Sequence, residues 1–146
     1  MNVELHVLGR AVKQVQYRQH RALDTALAAV GTTLAQWDAL RAVARRPGAS
    51  ARELAAVTFQ TEQSFGTLAG RLVAQGLIVR DPGRGRRLEH RLTPAGERVL
   101  AAGEQVADEV LTAHFAPLPA EDRATLLRLL HALTPDAATA PAVEGL

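Results

Sequence analysis

Residues 53–100, ELAAVTFQTEQSFGTLAGRLVAQGLIVRDPGRGRRLEHRLTPAGERVL, change hydrophobic period twice. Ser50 and Glu53 open a short helix through about Val57, each side chain able to satisfy a free backbone N–H. Thr61 can cap the next helix, predicted from Glu62 to Gln75, with Phe65, Leu68, Ala69 and Leu72 as its buried stripe and Gly76 as its terminator. After Gly76 the period drops to two. Leu77 to Arg80 is a short apolar run, Pro82, Gly83 and Gly85 are turn residues, and Leu88, His90 and Leu92 alternate with Arg87, Glu89 and Arg91. Two strands joined by a turn are expected, with Leu77, Val79, Leu88 and Leu92 anchored on the core and Arg87 and Arg91 facing solvent. Thr93 and Pro94 then supply an N-cap and a first-turn proline for a helix through Phe115.

Outward from this stretch the chain is helical. Leu5, Leu8, Val12, Val15, Leu23, Leu27 and Val30 recur at helical spacing over residues 4–30, ending at Gly31. A second helix opens with Thr33 and Gln36 in a capping-box arrangement, carries Leu34, Trp37, Leu40 and Val43 on one stripe, and stops at Pro47 and Gly48. Pro117 and Pro119 separate the fifth helix from a last one, roughly 119–133, rich in leucine. Residues 136–146 have the composition of a flexible tail. The fold class is therefore mainly α with a small β wing of two or three strands, in one domain spanning about 1–135.

Composition excludes several functions. The chain has 146 residues, 47% of them hydrophobic, which is enough for one ordinary core. It contains no cysteine, so disulfides, thiolate ligands and cysteine nucleophiles are ruled out. The histidines, His6, His20, His90, His114 and His131, show no i, i+4 pair of the kind that holds a metal on a helix, and no phosphate loop or Gly-x-Ser-x-Gly is present. No metal, cofactor or catalytic residue is expected. No membrane span or signal pattern is seen either, and the expected compartment is the cytoplasm.

The net charge of +2 is too small to imply a nucleic-acid partner by itself, but its distribution is uneven. Between Arg80 and Arg91 five arginines face only Asp81 and Glu89, whereas the chain beyond Pro94 is acidic. Helix, helix, short helix, helix and hairpin is the order of a winged helix-turn-helix. A helix that enters the major groove needs short polar side chains at its N-terminus and an apolar rear face. Thr61, Glu62, Gln63, Ser64 and Thr67 fit the first need, and Phe65, Leu68 and Leu72 the second. Gln63 can pair with adenine, while Ser64 and Thr67 can reach a base or a phosphate. Glu62 can accept from cytosine or stabilise the positive end of the helix, and the second role is favoured. Arg71, further along, suits phosphate. On the wing, Arg84, Arg86 and Arg87 complete the expected DNA-binding set, the glycines at the tip letting Arg84 and Arg86 approach phosphates or a narrow minor groove.

The chain from about residue 4 to 135 resembles the MarR family of bacterial transcriptional regulators. The resemblance rests on Arg71-Leu72, Gly76-Leu77, Arg80 opening the wing, and Leu92-Thr93 with Gly96. One position departs from the family. Arg84 stands where the family often places the aspartate of Asp-x-Arg, and an arginine cannot accept a hydrogen bond from Arg86. The resemblance implies a homodimer in which helices at about 3–30 and 94–134 form a base beneath DNA-binding lobes at about 33–93. It also implies a pseudo-palindromic duplex DNA operator, a repressor's role, and a small apolar or phenolic effector bound between the first, second and fifth helices. Tyr17, His20, Trp37 and Leu40 are the residues expected to line that pocket. Taken alone, each feature has a plainer reading: Trp37 as core, His90 as a partly buried strand residue, the arginines as a solvated loop. A protein-interaction module, or a small-molecule-binding protein on a winged-helix scaffold without DNA binding, is the alternative.

Overall fold

Five helices begin where a side-chain oxygen accepts a backbone N–H from the first turn. In a computed structural model that describes residues 2–134, they are α1 (Val3–Ala28), α2 (Leu34–Arg45), α3 (Ala51–Val57), α4 (Glu62–Ala74) and α5 (Pro94–Phe115), capped by Asn2, Thr33, Ser50, Thr61 and Thr93. A sixth helix, α6 (Ala120–Leu133), starts after Pro119 without a side-chain cap. Between α4 and α5 lie the antiparallel strands β1 (Ile78–Pro82) and β2 (Leu88–Leu92). The expected tail at 136–146 lies outside the described residues.

The capping boxes form only in part. Thr33 accepts from the Gln36 N–H at 3.1 Å, but the Gln36 side chain meets the Thr32 hydroxyl instead of reaching back to the backbone. A residue distant in sequence supplies the second cap of α2: Asp24 on α1 accepts the Leu34 N–H at 2.9 Å. Glu53 likewise turns its carboxylate to the Ser50 hydroxyl, at 3.0 Å, and to Arg87.

Two apolar clusters organise the chain. One holds Leu40, Val43, Leu54, Phe65, Leu72 and Ile78, binding α2, α3, α4 and β1 into a lobe. The other holds Leu23, Leu27, Leu34, Trp37 and Ala107, joining α1 and the start of α2 to α5. Leu100 packs against both. Gly96 has a steric reason to be glycine: a Cβ there would run into the Leu77 carbonyl, so α5 starts in direct contact with the turn between α4 and β1.

The wing corrects the expected phase of β1. Ile78, paired with Leu92, is the buried residue, whereas Val79, paired with Arg91, lies on the outer face and is exposed. Leu88 is no anchor either; opposite Pro82 near the tip, it stays 44% exposed. His90 carries the anchoring instead and is fully buried. Its backbone N–H and its Nδ1–H both donate to the Ala49 carbonyl, at 3.1 and 2.9 Å, and its own carbonyl accepts from the Gly48 N–H at 2.9 Å. The α2–α3 connection thus lies along β2 where a third strand would lie, and the sheet itself has two strands among the described residues. No helix among those residues is long and apolar enough to cross a membrane.

Candidate functional site

The first turn of α4 is exposed, as its sequence requires. Thr61 is engaged as the cap, accepting the Ser64 N–H at 3.0 Å, and Thr67 donates back to the Gln63 carbonyl at 3.1 Å. Glu62, Gln63, Ser64 and Thr67 all face solvent, with Arg71 further along, while Phe65, Ala69 and Leu72 are buried behind them. Glu62 sits at the first helical position, where its charge offsets the helix dipole. The polar face is therefore available to a groove, and the rear face is fixed to the lobe.

The wing is tied to the same lobe by specific bonds. His90 meets the Phe65 ring edge to face, with centroids 6.1 Å apart, linking β2 to α4. Gly83 N–H donates to the Arg87 carbonyl and Arg87 N–H to the Arg84 carbonyl, closing a turn in which Gly85 takes the left-handed conformation (φ 64°). Arg84 and Arg86 are exposed at this tip. The sequence pattern puts Arg87 beside them as a DNA contact facing solvent; its guanidinium is instead paired with Glu53 at 2.6 Å and donates to the Gly48 carbonyl at 3.3 Å, bracing the wing against α3. Desolvation pushes the Glu53 carboxyl up, but the Ser50 hydroxyl and Arg87 outweigh it and hold the group below its ordinary range.

A cavity of about 480 Å³ opens between α1, α2 and α5, large enough for a small organic ligand. Two of the four expected pocket residues, His20 and Trp37, line it together with Leu23, Leu34, Ala107 and Leu111. The other two do not. Leu40 is wholly buried in the lobe core, and Tyr17 lines a separate, shallower depression beside Arg21 and His114. Trp37 is both core and cavity wall. Its Nε1–H donates to the Leu100 carbonyl at 3.2 Å, and its ring lies where a Cβ on Gly103 would have to be. Residues that the helical stripes do not single out complete the lining: Gln16, Gln19, Asp38, Arg41, Glu104, Asp108 and Phe59. The i, i+4 spacing of Glu104 and Asp108 is the available signal for the carboxylates.

The fold agrees with that of known proteins. A MarR family model matches residues 30–87. A probable transcriptional regulator from Pseudomonas aeruginosa is 31% identical over 86% of this chain and 96% of its own, with a TM-score of 0.77. The chain belongs to the MarR family. Among solved MarR structures, a mutant E. coli MarR complexed with operator DNA is 25% identical and superposes with a TM-score of 0.84, covering 90% of this chain and 96% of that one. A MarR family protein of Mycobacterium tuberculosis in complex with salicylic acid is 28% identical, with a TM-score of 0.71 over 87% and 96% of the two chains. No curated protein matches the sequence significantly. Six helices with a two-stranded antiparallel wing are the MarR arrangement.

Proposed function

We propose that this MarR family protein is a DNA-binding transcriptional regulator, acting in the cytoplasm as a homodimeric, ligand-responsive repressor of a pseudo-palindromic operator. The observation that carries the reading is one lobe presenting both an exposed polar first turn on α4 and a glycine-tipped hairpin bearing Arg84 and Arg86. The operator complex of the E. coli relative supports it. In this reading α4 enters the major groove, Gln63 and Ser64 meet base edges, Thr61, Thr67 and Arg71 contact phosphate or base, and the wing tip follows the backbone into the minor groove. Arg87, paired with Glu53, holds the wing at its angle.

A dimer base of α1, α5 and α6 is favoured by apolar residues left in water. Val3, Leu5, Val7 and Leu8 on α1 and Leu127, Leu129, Leu130 and Leu133 on α6 are exposed, and α6 buries no residue against its own chain. Two lobes on such a base would meet half-sites about one helical turn, ~10 bp, apart. The cavity between α1, α2 and α5 is the effector site in this reading. A ligand there switches the protein only by favouring one lobe spacing over the other by a few kcal/mol.

The test is binding of the purified protein to its own upstream intergenic DNA at several salt concentrations, against a random duplex. Specific affinity at least about 1000-fold above the control is expected. The Arg84→Ala, Arg86→Ala double variant should weaken binding to every duplex and flatten the log–log salt dependence by about 0.9 for each phosphate it no longer neutralises. Weak and equal binding to both duplexes, unaffected by the double variant, would remove the regulator reading.

A further inference from the structure

Phe59 is the residue of the lobe whose placement is hardest to account for by folding. It lies between α3 and α4 with φ 57°, in the left-handed region that glycine occupies at low cost, and it is 97% exposed. A large aromatic ring thus sits in a strained backbone position and gains nothing from burial within its own chain. It stands at the mouth of the cavity that Trp37 lines from within.

The polar groups around that cavity are unbalanced in sign. Asp38, Glu104 and Asp108 face it, against the guanidinium of Arg41 and the imidazole of His20. Arg41 already shows what the site accepts: its guanidinium carbon lies 4.7 Å from the centre of the Trp37 ring while one nitrogen is 3.9 Å from Asp38. A cation over an indole face, beside a carboxylate, is thus built into the wall from the protein's own residues. Partial burial pushes the Asp38 carboxyl up, and Arg41 and His20 oppose that shift, which leaves Glu104 and Asp108 as the carboxylates of the wall that hold no ion pair among the described residues.

We propose that the cavity takes an aromatic or lipophilic cation, an amine or ammonium compound, whose charge lies toward Glu104 and Asp108 and whose ring packs against Phe59 and Trp37. This inference rests on the effector reading of the cavity and departs from it in ligand class. An anionic phenol such as salicylate would meet Glu104 and Asp108, with Arg41 already engaged by Asp38 and His20 the remaining basic side chain of the wall.

A matched pair of probes tests it: 4-tert-butylbenzylammonium and 4-tert-butylbenzoate, titrated calorimetrically into the full chain at neutral pH, with salicylate alongside. Quenching of Trp37, the one tryptophan, reports where each binds. The ammonium should bind at least about tenfold more tightly than either carboxylate. The Glu104→Gln, Asp108→Asn double variant should bring the pair to within about twofold, and Phe59→Gly should weaken the ammonium several-fold while leaving the melting temperature unlowered. Equal or tighter binding of the carboxylates, binding of neither charge, or a preference that survives the double variant would overturn the proposal. Duplex binding measured on the same samples separates the two readings. Specific DNA binding with no cation preference overturns the ligand class alone, whereas a cation preference without specific DNA binding overturns the regulator.

Discussion

At Phe59 a left-handed backbone costs an L-residue about 1–2 kcal/mol, and glycine removes that cost while losing about 0.5–1 kcal/mol to chain entropy. Phe59→Gly is therefore expected to stabilise the protein by up to about 1 kcal/mol in a denaturant titration, because a ring that is almost wholly exposed contributes no burial to lose. His90 presents the opposite case, a polar ring enclosed by the fold. With Nδ1–H given to Ala49, its Nε2 has no hydrogen-bond partner among the described residues. Burial lowers its pKa below the ordinary 6.5, with the nearby Arg80 acting in the same direction and the Ala49 carbonyl opposing. Above 6.5 the neutral ring is present in both folded and unfolded chains, and its contribution is complete. Below 6.5 the unfolded chain takes up a proton that the folded chain resists, so stability falls as pH drops toward the lowered folded value. Denaturation midpoints should decline from about pH 7.5 to about pH 5.5 in the native protein and decline less in His90→Gln. Neither residue can be read in full from the sequence. A period of two places His90 inward, but nothing local reveals that the Ala49 carbonyl will meet it; Phe59 sits in a turn whose left-handed position is visible only in the backbone.

Among the elements, the four helices that open on a serine or threonine cap are the most legible in the sequence, because their starts carry local chemistry. Thr33, Ser50, Thr61 and Thr93 start helices, and Gly31 and Gly76 end them with positive φ. The wing is legible as a hairpin but not in phase, because Leu77, Ile78 and Val79 are all apolar and only the pairing of Ile78 with Leu92 selects which one turns inward. Glycines within helices divide along similar lines. Gly70 on α4 has only the Arg80 guanidinium nearby, 3.6 Å from where a Cβ would stand, which is ordinary contact. Gly70→Ala should stabilise by about 1 kcal/mol, since alanine is the better helix former. Gly103 on α5 has the Trp37 indole in that space, and Gly103→Ala should destabilise by about 1–3 kcal/mol with a shift in Trp37 emission. The same substitution thus has opposite signs on two helices, a contrast that thermal melts of both variants would show directly.

For the whole molecule, an amphipathic pattern reveals which faces are apolar but not which partner covers them. The stripe of α1 divides in the structure: Leu23 and Leu27 are buried in the chain's own core, whereas Leu5, Leu8, Val12 and Val15 remain exposed. If a second copy covers the exposed half together with α6, then Leu127→Glu with Leu130→Glu should convert a dimer to a monomer in sedimentation, without loss of the lobe's own core. DNA affinity should fall with it, because one lobe alone gives up the avidity of two half-sites. A dimer that persists in this variant would place the interface elsewhere.

The bond from Asp24 to the Leu34 N–H gives the long first helix a direct grip on the second. Leu100, shared between the two cores, and the indole hydrogen bond to its carbonyl form a slightly thicker seam on the other side. The core in which Leu34 and Trp37 pack against Leu23, Leu27 and Ala107 thus joins the lobe to the base, and Trp37 belongs both to that junction and to the cavity wall. A guest beside Trp37 would work as a wedge at a pivot. In the proposed regulation a shift there would carry α4 and the arginine tip with it, so that an effector would act on DNA binding without touching the surface proposed to meet DNA.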